Sequence, residues 1–169
     1  MRVLFVFIDG VGYGPAGEQN PVCPEVCPTL CALMDKAPHL DACLGIPGLP
    51  QSATGQATLY TGVNAAQVMG RHKEGFPGPT LCKLLQEDNL FIEARRRGLR
   101  VCFADAYFAD APEELAARRF KSVTTIMSLT APETLRFQKD MLAGRAVVHD
   151  LTRAVLVPKG YTGPLVTPE

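Results

Sequence analysis

Two patterns of apolar and polar positions occur along the chain, and each predicts one type of element. Residues 2–8 (RVLFVFI) and 99–105 (LRVCFAD) are short β-prone apolar runs; an aspartate follows the first and ends the second. Continuous runs of this kind are typical of strands buried on both faces of a parallel sheet. Residues 146–152 (AVVHDLT) predict a further short strand.

The second pattern has helical spacing and carries capping signals at its ends. Ser52 stands at the start of a predicted helix over 53–61, and Gly62 follows in the position that ends helices in left-handed geometry. Asn89 divides a long helical stretch by capping its second half. Helices are predicted over residues 29–36, 53–61, 79–97 with a break near 88–89, a segment that starts at about 110, and a segment from about 130 to 142. Because helices alternate with strands, the sequence predicts an α/β fold with a mostly parallel sheet and helices on both faces.

Composition and charge narrow the class of protein. The 169 residues include 47% hydrophobic and 20% charged residues, as expected of a globular domain. Seventeen basic residues balance seventeen acidic ones, which gives no support for nucleic acid or an anionic membrane as the main partner. No apolar run reaches the roughly 20 residues that span a bilayer. The N-terminal run resembles a strand and lacks a cleavage site, so we expect a cytoplasmic chain with reduced thiols.

Three cysteines, Cys23, Cys27 and Cys31, are spaced by four residues. On a continuous helix their sulfur atoms would lie on one face. Pro24 and Pro28 interrupt the segment, and metal sites more often use C-x2-C pairs. Small, partly buried thiols are therefore the favoured interpretation, and a metal site is the alternative.

Asp9 and Ser52 are the residues whose positions favour chemistry. Asp9 follows the first predicted strand, at the end of a parallel sheet where ligands collect, and Gly10 leaves its carboxylate accessible to a cation. Ser52 stands at a helix start, where main-chain N–H groups and the macrodipole favour a phosphate. The structural alternatives are a turn for Asp9 and an ordinary helix cap for Ser52. Thr54 competes with Ser52 for either role.

Two further motifs complete the set of candidates. Arg71, His72 and Lys73 follow the serine helix and could contact a phosphate, or form a solvated loop. Gly12, Gly14 and Gly17 match the dinucleotide fingerprint G-x-G-x-x-G. That fingerprint requires a helix that begins within the glycines, and the prolines that follow them delay the predicted helix to about residue 29.

The segments FVFIDGVGYG and PQSATGQATLYTGVN together resemble the alkaline phosphatase superfamily, and most closely its metalloenzyme branch of cofactor-independent phosphoglycerate mutases and phosphopentomutases. The resemblance implies that Asp9 binds one of two divalent metals. The pattern S-x-x-G-[HQ] falls on residues 52–56, so the resemblance makes Ser52 both a metal ligand and the phosphorylated nucleophile. The segments GFP at 75–77, ADAY at 104–107 and GRAVVHDLT at 144–152 extend it over nearly the whole chain.

The resemblance further implies an activity and a set of ligands. Two Mn, Mg or Zn ions would support phosphoryl transfer on a small phosphorylated metabolite, as mutase or phosphatase, with sulfatase or phosphodiesterase chemistry also open. From their positions in the sequence, and not from the resemblance, Thr54, Arg71 and His72 are the candidates for contact with the substrate.

The family's Asp-x3-His and Asp-His ligands have no match here, because Asp35 and His39 precede the serine and His149-Asp150 has the reversed order. We therefore expect residues 1–169 to be the N-terminal portion of one such domain, with a C-terminal half missing and little activity alone. The alternatives are a non-catalytic α/β binding module and, less favoured, a nucleotide-binding domain.

Overall fold

The computed structural model describes residues 2–15 and 17–167. Helices dominate in this part of the chain, and regular strand is limited to two short segments. The α-helices are α1 Pro28–Met34, α2 Ser52–Thr61, α3 Ala65–Met69, α4 Gly78–Glu87, α5 Leu90–Arg96, α6 Pro112–Ala117, α7 Val123–Leu129 and α8 Gln138–Leu142. The strands are β1 Ala106–Tyr107 and β2 Arg136–Phe137, and the 3-10 helices are Pro132–Thr134 and Ala154–Lys159.

The predicted α/β fold with a sheet covered by helices on both faces is wrong for the described residues. The sheet consists of β1 and β2 alone, paired in parallel with Ala106 opposite Arg136 and Tyr107 opposite Phe137. Asp105 adds one isolated parallel bridge to Val147. The run over 99–105 therefore pairs only at its last residue, and the predicted strand within 146–152 contributes only Val147.

The predicted strand over residues 2–8 does not form. These residues adopt no regular structure, and Val3, Leu4 and Val6 keep between 66% and 83% of their surface exposed. A strand is stabilised by pairing with a neighbouring strand, and the strands and bridges found among the described residues do not include residues 2–8. The β-prone composition of residues 2–8 favours an extended strand, but it does not show whether another strand is available to pair with it.

The helices with strong local signals are confirmed. α2 begins at Ser52 and ends at Gly62, whose φ of 72° is left-handed. The long stretch breaks as predicted: Asn89 accepts hydrogen bonds from the N–H groups of Phe91 and Ile92 at the start of α5, and Gly98 follows the helix with φ 71°. Two helices, α3 and α7, were not predicted.

The chain divides into two compact units, Met1–Gly45 and Ile46–Glu169. Within the second unit, the main cluster of buried side chains joins α2, α3, α4 and α7, with Ala53, Ala57, Leu81 and Leu85 fully buried. Alanines on α2 allow neighbouring helices to approach closely. Two smaller clusters surround Leu115 and Met141. Among the described residues, no helix has the length and apolar character that crossing a membrane requires.

Candidate functional site

Helix α2 carries four serine and threonine hydroxyl groups, and three of them donate hydrogen bonds to main-chain carbonyls. Thr58 donates a hydrogen bond to the carbonyl of Thr54 (2.9 Å), and Thr61 donates to the carbonyl of Ala57 (2.7 Å). Thr54 is fully buried and donates to the carbonyl of Gln51 (3.2 Å). These bonds support a structural role for Thr54, the residue that competes with Ser52.

Ser52 is the first residue of α2 rather than its cap. The N-cap is Gln51, whose backbone is extended (φ −129°, ψ 150°), and Ser52 is half-buried one position inside it. The alternative interpretation of Ser52 as the N-cap residue therefore does not match the helix boundary.

The segment that follows α3 is fixed to the start of α2 by main-chain hydrogen bonds. The carbonyl of Lys73 accepts from the N–H groups of Ala53 (3.1 Å) and Thr54 (3.3 Å), and the N–H of Lys73 donates to the Thr54 hydroxyl (3.2 Å). We call this arrangement the Lys73 clamp. It has two consequences, one for the basic side chains and one for the helix terminus.

The first consequence is that a segment with three basic side chains lies at the start of α2. Residues Pro47, Gly48, Leu49, Gln51, Arg71, His72, Lys73 and Glu74 line an open depression of about 440 Å³, here called the basic depression. The His72 ring contacts the carbonyl of Ile46 through Nε2 (3.1 Å). Within the described residues neither Arg71 nor Lys73 forms an ion pair. The structure thus brings Arg71 and His72 together in one depression with Gln51, the residue before the predicted nucleophile, whereas Ser52 itself is not part of the lining.

The second consequence corrects the expectation of free N–H groups at the helix start. The N–H groups of Ala53 and Thr54 both point to the Lys73 carbonyl, so they are not available to a phosphate. An anion at this place would rely on the side chains of Arg71 and Lys73 and on the macrodipole of the ten-residue helix.

A chain of side-chain hydrogen bonds anchors the middle and the C-terminal part of α2. The Tyr60 hydroxyl lies 3.4 Å from Oγ1 of Thr124, and Thr124 donates to Oε1 of Gln56 (3.1 Å). Gln56 is four residues after Ser52, on the same face of the helix. The position of Ser52 is therefore fixed by contacts at both ends of its helix.

Asp9 lies in the first unit. It is exposed, in a turn at the end of residues 2–8 that Gly10 completes with a left-handed φ of 72°. In the same unit His39 contacts the carbonyl of Met34 (3.2 Å) and lies against Tyr13, with ring centroids 4.0 Å apart. His39 thus has a structural role at the end of α1.

The described residues do not supply all the ligands needed by the two metal ions that the resemblance implies. Among the described residues, no group of three or more His, Cys, Asp or Glu side chains could hold a metal ion. Asp9 and Ser52 are too few ligands for a two-metal site. We derive no catalytic step through a metal.

The three cysteines form a local cluster in the first unit. The Cys27 thiol donates to the carbonyl of Cys23 (3.5 Å), and burial raises the pKa of the Cys31 thiol, which the hydrogen bond with Cys27 raises further. A raised pKa keeps the thiol protonated, so Cys31 is a weak nucleophile. The glycines of the G-x-G-x-x-G match do not open a helix, because α1 begins only at Pro28.

A second cavity was missed by the sequence interpretation. Its lining includes polar groups from β1, from α7 and from the segment that follows Val147. The missed signal was Ser122, which caps α7 by accepting a hydrogen bond from the N–H of Thr125 (3.1 Å). The β-branched run VTTIMSL after it obscured the helix.

Comparisons of the chain with protein-family models, with curated proteins and with solved structures found no match.

Proposed function

We propose that this chain carries the nucleophile of a phosphoryl-transfer enzyme, and that Ser52 is that nucleophile. The substrate is a small phosphorylated metabolite. The Ser52 hydroxyl attacks phosphorus, the ester bond to the leaving alcohol breaks, and the products are the alcohol and phosphoserine. Water or a second hydroxyl then takes the phosphoryl group, which gives a phosphatase or a mutase.

The observation that carries the proposal is the Lys73 clamp. It joins the start of α2, whose first residue is the half-buried Ser52, to the segment that carries Arg71, His72 and Lys73, which supports the proposal. Cations next to the nucleophile offset the negative charge of a phosphate and of its transition state. In this proposal Arg71 and His72 bind the substrate, whereas Thr54 supports the clamp instead of contacting substrate.

Divalent Mn, Mg or Zn ions belong to the proposal as cofactors, and Asp9 and Ser52 would each serve as a metal ligand. Such ions would supply charge that lowers the pKa of a bound hydroxyl and orients phosphoryl oxygens. Further ligands would have to come from outside the described residues.

The test is hydrolysis of a simple phosphoester, with Mn²⁺ added, by the longest polypeptide that the gene encodes. Ser52→Ala should abolish turnover, and Arg71→Gln should raise KM by about tenfold because one charge-assisted contact to phosphate is lost. Lys83→Gln, on the exposed face of α4, is the matched control for a lost cation. Full turnover by Ser52→Ala together with loss in Thr54→Ala would contradict the assignment.

One observation favours a second candidate, a non-catalytic binding module. Val3, Leu4 and Val6 are exposed apolar side chains in the first unit, and a partner protein could cover them. In that case Val6→Lys should abolish association with the separately expressed partner, and Ser52→Ala should leave the association and all cellular function intact.

A further inference from the structure

Two exposed phenylalanine rings are stacked on each other on the surface of the second unit. Phe76 lies in the loop before α4 and Phe120 in the loop between α6 and α7, and their ring centroids are 5.3 Å apart with an interplanar angle of 29°. The two residues keep 52% and 60% of their surface exposed. Single exposed apolar side chains need no explanation, whereas contiguous ones are typical of interaction sites.

Cationic side chains lie beside this pair of rings. The Arg119 guanidinium stands over the Phe120 ring, with Cζ 5.1 Å from the ring centroid. The Lys73 side chain reaches the start of α4, where a Cβ added at Gly78 would lie 3.3 Å from its Cε. Lys121 follows Phe120 directly in the chain. We call the two rings and these three cations the aromatic–basic patch.

Lys121 lies close to α4 and is held there by one hydrogen bond. Burial raises the pKa of the Cys82 thiol on α4, and the nearby Lys121 ammonium opposes this shift. Nζ of Lys121 donates to the carbonyl of Arg118 (2.5 Å). Because an ammonium group has three protons, Lys121 can still donate to a carboxylate of a partner. Gly78 and Cys82 are four residues apart, so the two lysines lie along one face of α4.

The aromatic–basic patch has an excess of positive charge. Among the described residues, none of Lys73, Arg119 and Lys121 forms an ion pair. Glu74 is the one acidic residue of the loop before α4, so it does not cancel these three charges. Unpaired cations beside an apolar surface are complementary to carboxylates that stand next to an apolar side chain.

An acidic peptide fits these features better than a nucleic acid does. A nucleobase binds by stacking on an open ring face, whereas the Phe120 ring already has Phe76 stacked on it and Arg119 over it. The chain as a whole has no net charge, so it lacks the long-range attraction of a basic protein for a polyanion. The carboxylates of a peptide need only local contacts, and an apolar side chain can cover the exposed parts of the two rings.

We propose that the aromatic–basic patch binds an acidic peptide segment of a partner protein, whose carboxylates pair with Arg119 and Lys121 and whose apolar side chain covers Phe76 and Phe120. Lys73 adds a third positive charge at the edge of the patch. The interaction does not depend on phosphoryl transfer, because neither ring and neither of the two pairing cations takes part in the proposed reaction.

The test is the fluorescence anisotropy of a labelled peptide, EDELFEDE, titrated with the full chain. Two control peptides are titrated beside it: QNQLFQNQ lacks the carboxylates, and EDEGSEDE lacks the apolar side chains. EDELFEDE should bind saturably and at least about tenfold more tightly than either control, since each control lacks one of the two contact sets. Added salt should weaken the binding, because the paired charges are exposed.

Variants of the protein locate the contact. Phe120→Ser should weaken the binding of EDELFEDE about tenfold, and Arg119→Gln about threefold, because a buried apolar contact is worth more than an exposed ion pair. Lys139→Gln on α8 and Leu99→Ala replace an exposed cation and an exposed apolar side chain elsewhere in the second unit, and both should leave the binding unchanged. Ser52→Ala should also leave it unchanged, which separates this test from that of the proposed function. The thermal midpoint of each variant checks the fold.

Absence of saturable binding by EDELFEDE, or equal effects of Phe120→Ser and Leu99→Ala, would overturn the proposal. Oligothymidylate and vesicles of phosphatidylserine are tested in parallel. Tighter binding of either one, lost in Phe120→Ser, would overturn it as well and would assign the patch to a nucleic acid or to a membrane surface.

Discussion

The two compact units differ in how far their apolar side chains are buried. In the second unit the apolar residues of α2, α4 and α7 are buried against one another, with Leu81 and Leu85 at 0% exposure. In the first unit none of the described residues is buried, and Leu40 keeps 86% of its surface exposed. Helices with an apolar face can pack on other helices nearby in sequence, whereas an isolated β-prone run needs a partner strand to bury its residues. The hydrophobic free energy of the described fold therefore comes from the second unit.

The largest expected effect tests this difference with one substitution in each unit. Leu81→Ala should lower the free energy of unfolding by about 2–5 kcal/mol, because it removes buried methyl groups and leaves a cavity. Leu40→Ala should change it by less than about 0.5 kcal/mol. Urea denaturation followed by circular dichroism measures both. Equal losses in the two variants would contradict the assignment of the core to the second unit.

Two asparagines, one in each unit, allow the same comparison for polar side chains. Asn89 is 2% exposed; its side chain caps α5 and donates to the carbonyl of Leu85 (2.7 Å) and to Thr130 (3.2 Å). Asn89→Ala should cost about 1–3 kcal/mol, because buried partners are left without a hydrogen bond. Asn20 makes comparable bonds in the first unit, to Pro15 and Val22, but remains in contact with water.

Asn20→Ala should therefore cost less than about 1 kcal/mol, since water replaces the lost bonds. The two variants are compared by the same denaturation. An effect of Asn20→Ala that matched or exceeded that of Asn89→Ala would show that the first unit is as tightly organised as the second.

The smallest effect concerns pH. The Thr152 hydroxyl donates to the Asp150 carboxylate (2.6 Å), and the N–H of Val155 donates to the other oxygen (2.9 Å), so the pKa of Asp150 lies below its ordinary value. Because the pKa of Asp150 is lower in the folded chain, the folded chain binds fewer protons than the unfolded chain at pH values around these two pKa values. The resulting stability is present above the unfolded pKa and is lost as the pH falls through the folded pKa.

Asp150→Asn should therefore flatten the loss of stability between about pH 5 and the acid end of the titration, relative to the unsubstituted chain. Urea midpoints measured across this range provide the comparison. If the urea midpoint of Asp150→Asn fell with decreasing pH as steeply as that of the unsubstituted chain, Asp150 would not contribute to the loss of stability in acid.

Local signals predicted part of this structure and tertiary context decided the rest. Gly62, Asn89 and Gly98 act within a few residues of their own positions, so the boundaries they predict were confirmed, whereas α2 begins at Ser52, one residue before the predicted helix, with Gln51 as its N-cap. The run over residues 2–8 was misassigned because a strand depends on residues far away in sequence. The run VTTIMSL of α7 has a β-branched composition that packing in the main cluster overrides.

The same distinction between local signals and tertiary context applies to the candidate site. The sequence identified Ser52, Arg71 and His72, which the structure places at the start of α2 and in the depression beside it. It could not show that the Lys73 carbonyl occupies the first N–H groups of α2, because that contact joins residues about 20 positions apart. The cavity lined by residues of β1, α7 and the second 3-10 helix is likewise assembled from separate segments, and the one local signal, the Ser122 cap of α7, was not enough to predict it.

The most direct test of the proposed function is to locate the phosphoryl group on the protein. The longest polypeptide that the gene encodes is incubated with Mn²⁺ and a small phosphoester, quenched in acid, digested and mapped by mass spectrometry, with Ser52→Ala and Thr54→Ala in parallel. The account predicts phosphate on Ser52, no phosphate in Ser52→Ala, and phosphate on Ser52 in whatever fraction of Thr54→Ala remains folded. Phosphate on Thr54 in the unsubstituted chain, or labelling that persists in Ser52→Ala, would contradict it.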